Sequence, residues 1–178
     1  MTHPKILLRQ ASATIFAALL PCLGGHAQDR CQAFNLETLP KREVRAVWLT
    51  TLSNLDWPKG YATTQEGIER QKPQLTEILD RYAEANINTV LFQARVRATT
   101  TYPSALEPWD RCLTGQEGRA PGYDPLRFAI EECHKRGMEL HAWLATIPCG
   151  PWTSLGCRRL RAKGLRLRKL DGAGYLDP

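Results

Sequence analysis

Three strand-length apolar runs, each separated from the next by a helical pattern, constrain this chain more than any other feature. "VRAVWLTT" (44–51), "NTVLFQARV" (88–96) and "MELHAWLATIP" (138–148) are dominated by β-branched, aromatic and aliphatic residues. Between the first two, Thr63 with Glu66 predicts a capping box, and Ile68 begins a helix. Leu75, Ile78, Leu79 and Tyr82 fall on one face of it, and Asn86 predicts its stop. Pro73, lacking an amide hydrogen, predicts a kink or a restart. Between the second and third runs, Asp124 predicts an N-cap and Pro125 a first helical residue. Leu126, Ala129, Ile130 and Cys133 form the buried stripe, and Gly137 ends it.

Strand, helix, strand, helix, strand at these spacings implies βαβ units and a parallel sheet. The expected fold class is α/β: a partial (β/α)₈ TIM-type barrel, about its first three to four βα units. A doubly wound sheet would want a glycine-rich phosphate turn after the first strand, and "TTLSNLDWP" has no glycine. A whole barrel takes roughly 250 residues, so residues 43–178 are expected to be the N-terminal part of one. A fourth strand is expected at "GYLDP". The segment from 97 to 123 has no periodic pattern, and loops of such length are usually functional or mobile.

Read at period two, the second strand puts Val90, Phe92, Ala94 and Val96 on one face, and Leu91, Gln93, Arg95 and Arg97 on the other. In the third, Leu140, Ala142 and Leu144 oppose Glu139, His141 and Trp143. Parallel sheets are covered on both faces, so polar groups near the strands' C-terminal ends need a special environment. A barrel mouth supplies one.

The first residues read as targeting rather than fold. Lys5 and Arg9 precede an apolar run from Ala11 to Gly25, and "GHAQ" places small residues before a break near Ala27. Residues 1–27 are expected to be a signal peptide and 28–42 a linker. The product is then exported, to the periplasm, cell envelope or exterior of a bacterium. Pro21 before Cys22 fits lipidation poorly. No later run approaches the about 20 apolar residues of a membrane span. Five cysteines remain after cleavage, with no CxxC pair and no regular framework, so at least one thiol would be free. His134 and His141 lack an ordered Cys/His pattern, so neither zinc nor another metal is expected. The net charge of +6 is local: Arg158, Arg159, Arg161, Lys163, Arg166, Arg168 and Lys169 form a run without an acid. A solvated basic loop is the plainer reading of it, ahead of nucleic acid or anionic lipid.

Four stretches, "REVRAVWLTTLSNLDWP", "FQARVRATTTYPSALEPWDRCLTG", "GYDPLRFAIEECHKRGMELHAWL" and "YLDP", together resemble the glycosyl hydrolase-like family 10. The resemblance covers 42–148 and resumes at 174–178; the fold of 150–173 is left open. It implies an exported bacterial protein with a (β/α)₈ catalytic domain acting on glycans, peptidoglycan included. It also implies a continuation containing a "DGIHFDD"-like acidic motif, which has no counterpart here. A glycosidase needs two carboxyl groups roughly 5–9.5 Å apart. Asp56, Glu107, Asp110 and Glu139 are the acids of the matched region, and none forms an obvious pair. The catalytic carboxylates are therefore expected beyond residue 178, leaving Asp56 and His141 as the catalytic candidates within the chain.

Substrate-binding candidates follow from the same reading. Gln93 and Arg95 suit sugar hydroxyls and a carboxylate, or a catalytic acid that Arg95 would hold ionised. A buried ion pair bracing the barrel stays open for Arg95. Trp57, Trp109 and Tyr102, in loops after strands, suit stacking on sugar rings, as does Trp143 beside His141; Trp48 divides evenly between stacking and core. Asp56 in "NLDWP" is a binding or loop-capping residue, Arg97 a solvated one, and His134 a helix-end cation. The expected activity is hydrolysis of glycosidic bonds in a polysaccharide or peptidoglycan glycan without a cofactor. The alternative is a carbohydrate-binding fragment without catalysis.

Overall fold

The computed structural model describes residues 43–177. The expected signal peptide and linker lie outside the described residues. The architecture is mixed α/β. Three strands, β1 (Ala46–Leu49), β2 (Thr89–Arg95) and β3 (Glu139–Leu144), form a parallel sheet in the order β1-β2-β3. Register aligns Trp48 with Leu91 and His141, and Gln93 with Trp143. A register shift falls between Gln93 and Arg95, at the C-terminal end of β2.

One sheet face is covered by two helices, α1 (Gln65–Glu84) and α3 (Pro125–Lys135). Leu49, Val90, Phe92 and Ala94 are wholly buried there against Leu75, Leu79, Ala129 and Cys133. Each large apolar side chain so buried stabilises the fold by about 1.5–3 kcal/mol. Thr64, not Thr63, caps α1, its hydroxyl accepting from the Gly67 amide at 3.2 Å. Pro73 sits inside α1, which runs unbroken through it; no restart occurs. The Asp124 cap and Pro125 stand where the sequence puts them. Arg136, just past α3, ties that helix to α1 through Asp80 at 2.7 Å and back to Glu132 at 2.8 Å.

The chain does not continue the parallel sheet after β3. Instead β4 (Pro148–Pro151), β5 (Leu167–Leu170) and β6 (Ala173–Leu176) make a second, antiparallel sheet ordered β4-β6-β5. The "GYLDP" strand is thus real but is the centre of a small antiparallel sheet, not a fourth parallel strand. The connection from β5 to β6 is only Asp171-Gly172, which permits a hairpin and no crossover. The helix α4 (Leu155–Ala162) packs on it around Ala98, Cys149, Cys157 and Leu160. A side chain at Gly156 would stand 2.3 Å from the Ala98 carbonyl, so glycine is what lets α4 approach the loop after β2. The basic run expected as a loop is largely α4 and β5. Cys112, Cys133, Cys149 and Cys157 are free and buried. No helix among the described residues is long and apolar enough to cross a membrane.

Candidate functional site

A cleft of about 470 Å³ opens where the chain leaves the C-terminal ends of β1 and β2. Leu52, Ser53 and Asn54, a 3-10 turn directly after β1, form one wall. Val96, Arg97 and Thr99, directly after β2, form the floor. Tyr61, Asp110, Arg111, Cys112, Glu117, Pro151, Thr153 and Ser154 complete its lining.

Gln93 sets the first wall. Its buried amide oxygen accepts from the Thr50 hydroxyl at 2.6 Å and from the amides of Thr51 and Leu52 at 3.0 and 3.1 Å. An amide oxygen has two lone pairs, so three donors leave it nothing for a sugar. Arg95 sets the second. Its guanidinium grips Glu107 at 2.5–3.0 Å and donates to the carbonyls of Ala145 and Thr146. Both side chains are 9% exposed. Of the two readings open for Arg95, the buried brace is the one observed: it joins the end of β2, the following loop and the β3–β4 connection. Its fork is spent on these groups, so it has none left for a substrate carboxylate.

The long loop after β2 is folded, not loose. The amides of Thr100, Thr101 and Asp110 bond the carbonyls of Pro108, Ala94 and Thr100 at 2.8–3.0 Å, laying the loop back along the strand. Asp110 caps the short helix α2 (Arg111–Thr114), accepting from the Cys112 amide at 2.7 Å and from the Thr99 hydroxyl. Glu117 accepts from the Gly156 and Leu155 amides at 2.9 and 3.3 Å, holding the start of α4 against the cleft. Both cleft carboxylates therefore serve as acceptors for backbone amides and hold the surrounding loops in place. Burial first, and then the charge of Asp110, push the Cys112 thiol far above its ordinary range, so it is no nucleophile at neutral pH. Among the described residues no cluster of three His, Cys, Asp or Glu is placed to hold a metal.

The remaining sequence candidates scatter. Trp57 is corrected from stacking platform to core: it is 0% exposed, lies against Phe92, and donates its indole N–H to the Gln71 carbonyl at 2.9 Å. Its loop position hid this, because the loop folds under the sheet rather than over it. Asp56 accepts the Thr50 amide at 2.8 Å and closes its own loop, outside the cleft. Tyr102 and Trp109 are half-buried against the main core and do not line the cleft. His141 is the third residue of β3, not its end, and its ring lies 3.4 Å from Glu139 on a largely exposed face. Trp48 and Trp143 meet edge to face at 4.8 Å across β2 on that same face. Gln93 and Arg95 thus bond to the segments after β1, β2 and β3, while the His141 ring faces Glu139. The cleft contributes Asn54, Tyr61, Arg111, Glu117 and Ser154, which sequence reasoning passed over; their only signal was membership of loops that follow strands.

A profile of the family described as glycosyl hydrolase-like 10 matches residues 43–151. A Bacillus subtilis (strain 168) protein named glycosyl hydrolase YngK is 44% identical over 102 residues, which are 57% of this chain and 19% of that protein. The Escherichia coli (strain K12) protein named glycosyl hydrolase DigH is 41% identical over 106 residues, covering 56% of this chain and 24% of that protein. The chain therefore spans about a fifth to a quarter of the length of these curated relatives.

Proposed function

Because the chain belongs to the glycosyl hydrolase-like 10 family, we propose that it serves a glycoside hydrolase whose substrate is a polysaccharide or a peptidoglycan glycan. Its coarse assignment is glycoside hydrolase-like. The finer reading makes β1–β3 with α1 and α3 the opening units of a (β/α)₈ barrel, and the cleft a stretch of its glycan groove. The observation that carries this is position: the cleft is walled by the segments leaving the C-terminal ends of β1 and β2, the end where such barrels build their sites. Arg97, Arg111 and Tyr61 bring donors to it that suit sugar hydroxyls and acidic substituents. Asp110 and Glu117 position loops, so the acid pair that breaks the bond comes from parts of the catalytic domain other than the described residues. The leading residues 1–27 would export the protein to the periplasm, cell envelope or exterior.

The occupied carboxylates also favour a second reading, carbohydrate binding without turnover. A chimera separates the two. Residues 43–151 replace the matched segment of the Bacillus relative, and reducing ends are measured on a glycan that the parent cleaves. Cleavage by the chimera supports the hydrolase reading. A folded chimera that binds the glycan and releases no reducing ends favours binding alone.

A further inference from the structure

The basic run lies beyond the family-matched segment and is absorbed by neither the cleft nor the core. Seven of the chain's 24 Lys and Arg residues fall between Arg158 and Lys169, with no Asp or Glu among them. Folding leaves most of this run on the surface. Cys157 and Leu160 of α4 fill the small core, with Leu165 and Leu167 packed on it, so the cations between them turn outward. Six of the seven are exposed; the exception, Arg161, lies half-buried with its guanidinium 4.2 Å over the Trp152 ring. Only Arg168 has a carboxylate partner among the described residues, Asp177 at 3.2 Å. On α1 and α3, by contrast, Arg70, Arg81 and Arg127 each face a Glu one turn away. Solubility alone is served by mixed charge, whereas a one-signed cluster repels itself unless an anionic surface meets it.

We propose that this face, built by α4 and β5, docks on the anionic headgroup surface of a lipid bilayer. Each cation near such a surface adds attraction that decays within a Debye length, so a cluster of six binds where scattered ones do not. Leu170, 57% exposed and on the same face of β5 as Arg168, supplies an apolar contact at headgroup depth. Nucleic acid fits less well, since Arg161 takes one face of the Trp152 ring and Tyr175, paired with Arg168, is half-buried, which leaves no interleaved stacking platform. The proposal does not depend on the glycan reading.

The test is cosedimentation of the processed chain, residues 28–178, with phosphatidylcholine vesicles, with and without phosphatidylglycerol, at about 0.05 and about 0.5 M salt. Binding is expected only to the phosphatidylglycerol vesicles and only at the lower salt. Arg158→Gln/Arg166→Gln/Lys169→Gln should weaken it at least roughly tenfold. Arg70→Gln/Arg81→Gln/Arg127→Gln removes the same charge elsewhere and should leave it unchanged; circular dichroism checks that both variants fold. No vesicle binding, equal weakening by the two triple variants, or tighter binding to duplex DNA at the same salt would each overturn the proposal.

Discussion

Arg95→Met should cost about 3–5 kcal/mol of unfolding free energy, several times what an exposed ion pair loses. Methionine replaces much of the aliphatic stem and removes the fork. Left behind is Glu107, 9% exposed, deprived of three N–H contacts at 2.5–3.0 Å. Two carbonyls, Ala145 and Thr146, lose their guanidinium donor as well. The cost is mainly that of an uncompensated buried charge, not of the attraction itself. Removing both partners should therefore be milder than the singles imply. Arg95→Met/Glu107→Leu should fall short of the sum by about 1–3 kcal/mol. Urea unfolding followed by far-ultraviolet circular dichroism gives each value from the midpoint, provided the slope is unchanged. An Arg95→Met loss below about 1 kcal/mol, or singles that add within about 0.5 kcal/mol, would refute the argument that this pair clamps the loops around the cleft.

Gln93→Leu should cost about 1–3 kcal/mol, because it orphans the Thr51 amide and leaves the Leu52 amide only the Thr50 hydroxyl. Hydrogen exchange should then quicken at 51–54 and not in α3. Trp57→Ala should cost about 3–5 kcal/mol, whereas Trp48→Ala, at a residue 57% exposed, should cost clearly less; equal losses would contradict the placement of Trp57 in the core. Lys135 first, and then Arg136, hold the Glu132 carboxyl below its usual range. A depressed folded pKa gives stability that is present above the unfolded value and lost as pH falls through the folded one. Glu132→Gln should therefore lower the urea midpoint at pH 7, and the deficit should shrink under acid; a deficit that grows on acidification would contradict the assignment.

The elements that bury a periodic stripe were legible in the residues. β1, β2, β3, α1 and α3 stand where alternation and helical spacing put them, because burial of Leu49, Phe92, Leu75 and Ala129 rewards one register only. The site was less legible, for physical reasons. Polar residues on a strand face announce a special environment but not its occupant. For Gln93 that occupant is the turn after β1; for Arg95 it is a glutamate 12 residues on. The burial of Trp57 was not legible, because a loop position does not say which side of the sheet the loop folds under. Residues 150–173 had no stripe long enough to read, and their small core is completed by Ala98 from a distant loop. Glu117 and Asp110, both spent on backbone amides, become visible as positioning groups only once α2 and α4 have formed.

Amide and side-chain NMR of the chain, titrated with soluble peptidoglycan glycan fragments, addresses the proposed groove directly. Progressive shifts at Tyr61, Arg97, Arg111 and Ser154, saturating together, are the result expected if the cleft after β1 and β2 receives glycan. Shifts confined to Trp48, His141 and Trp143 on the open sheet face, or none anywhere, would contradict it.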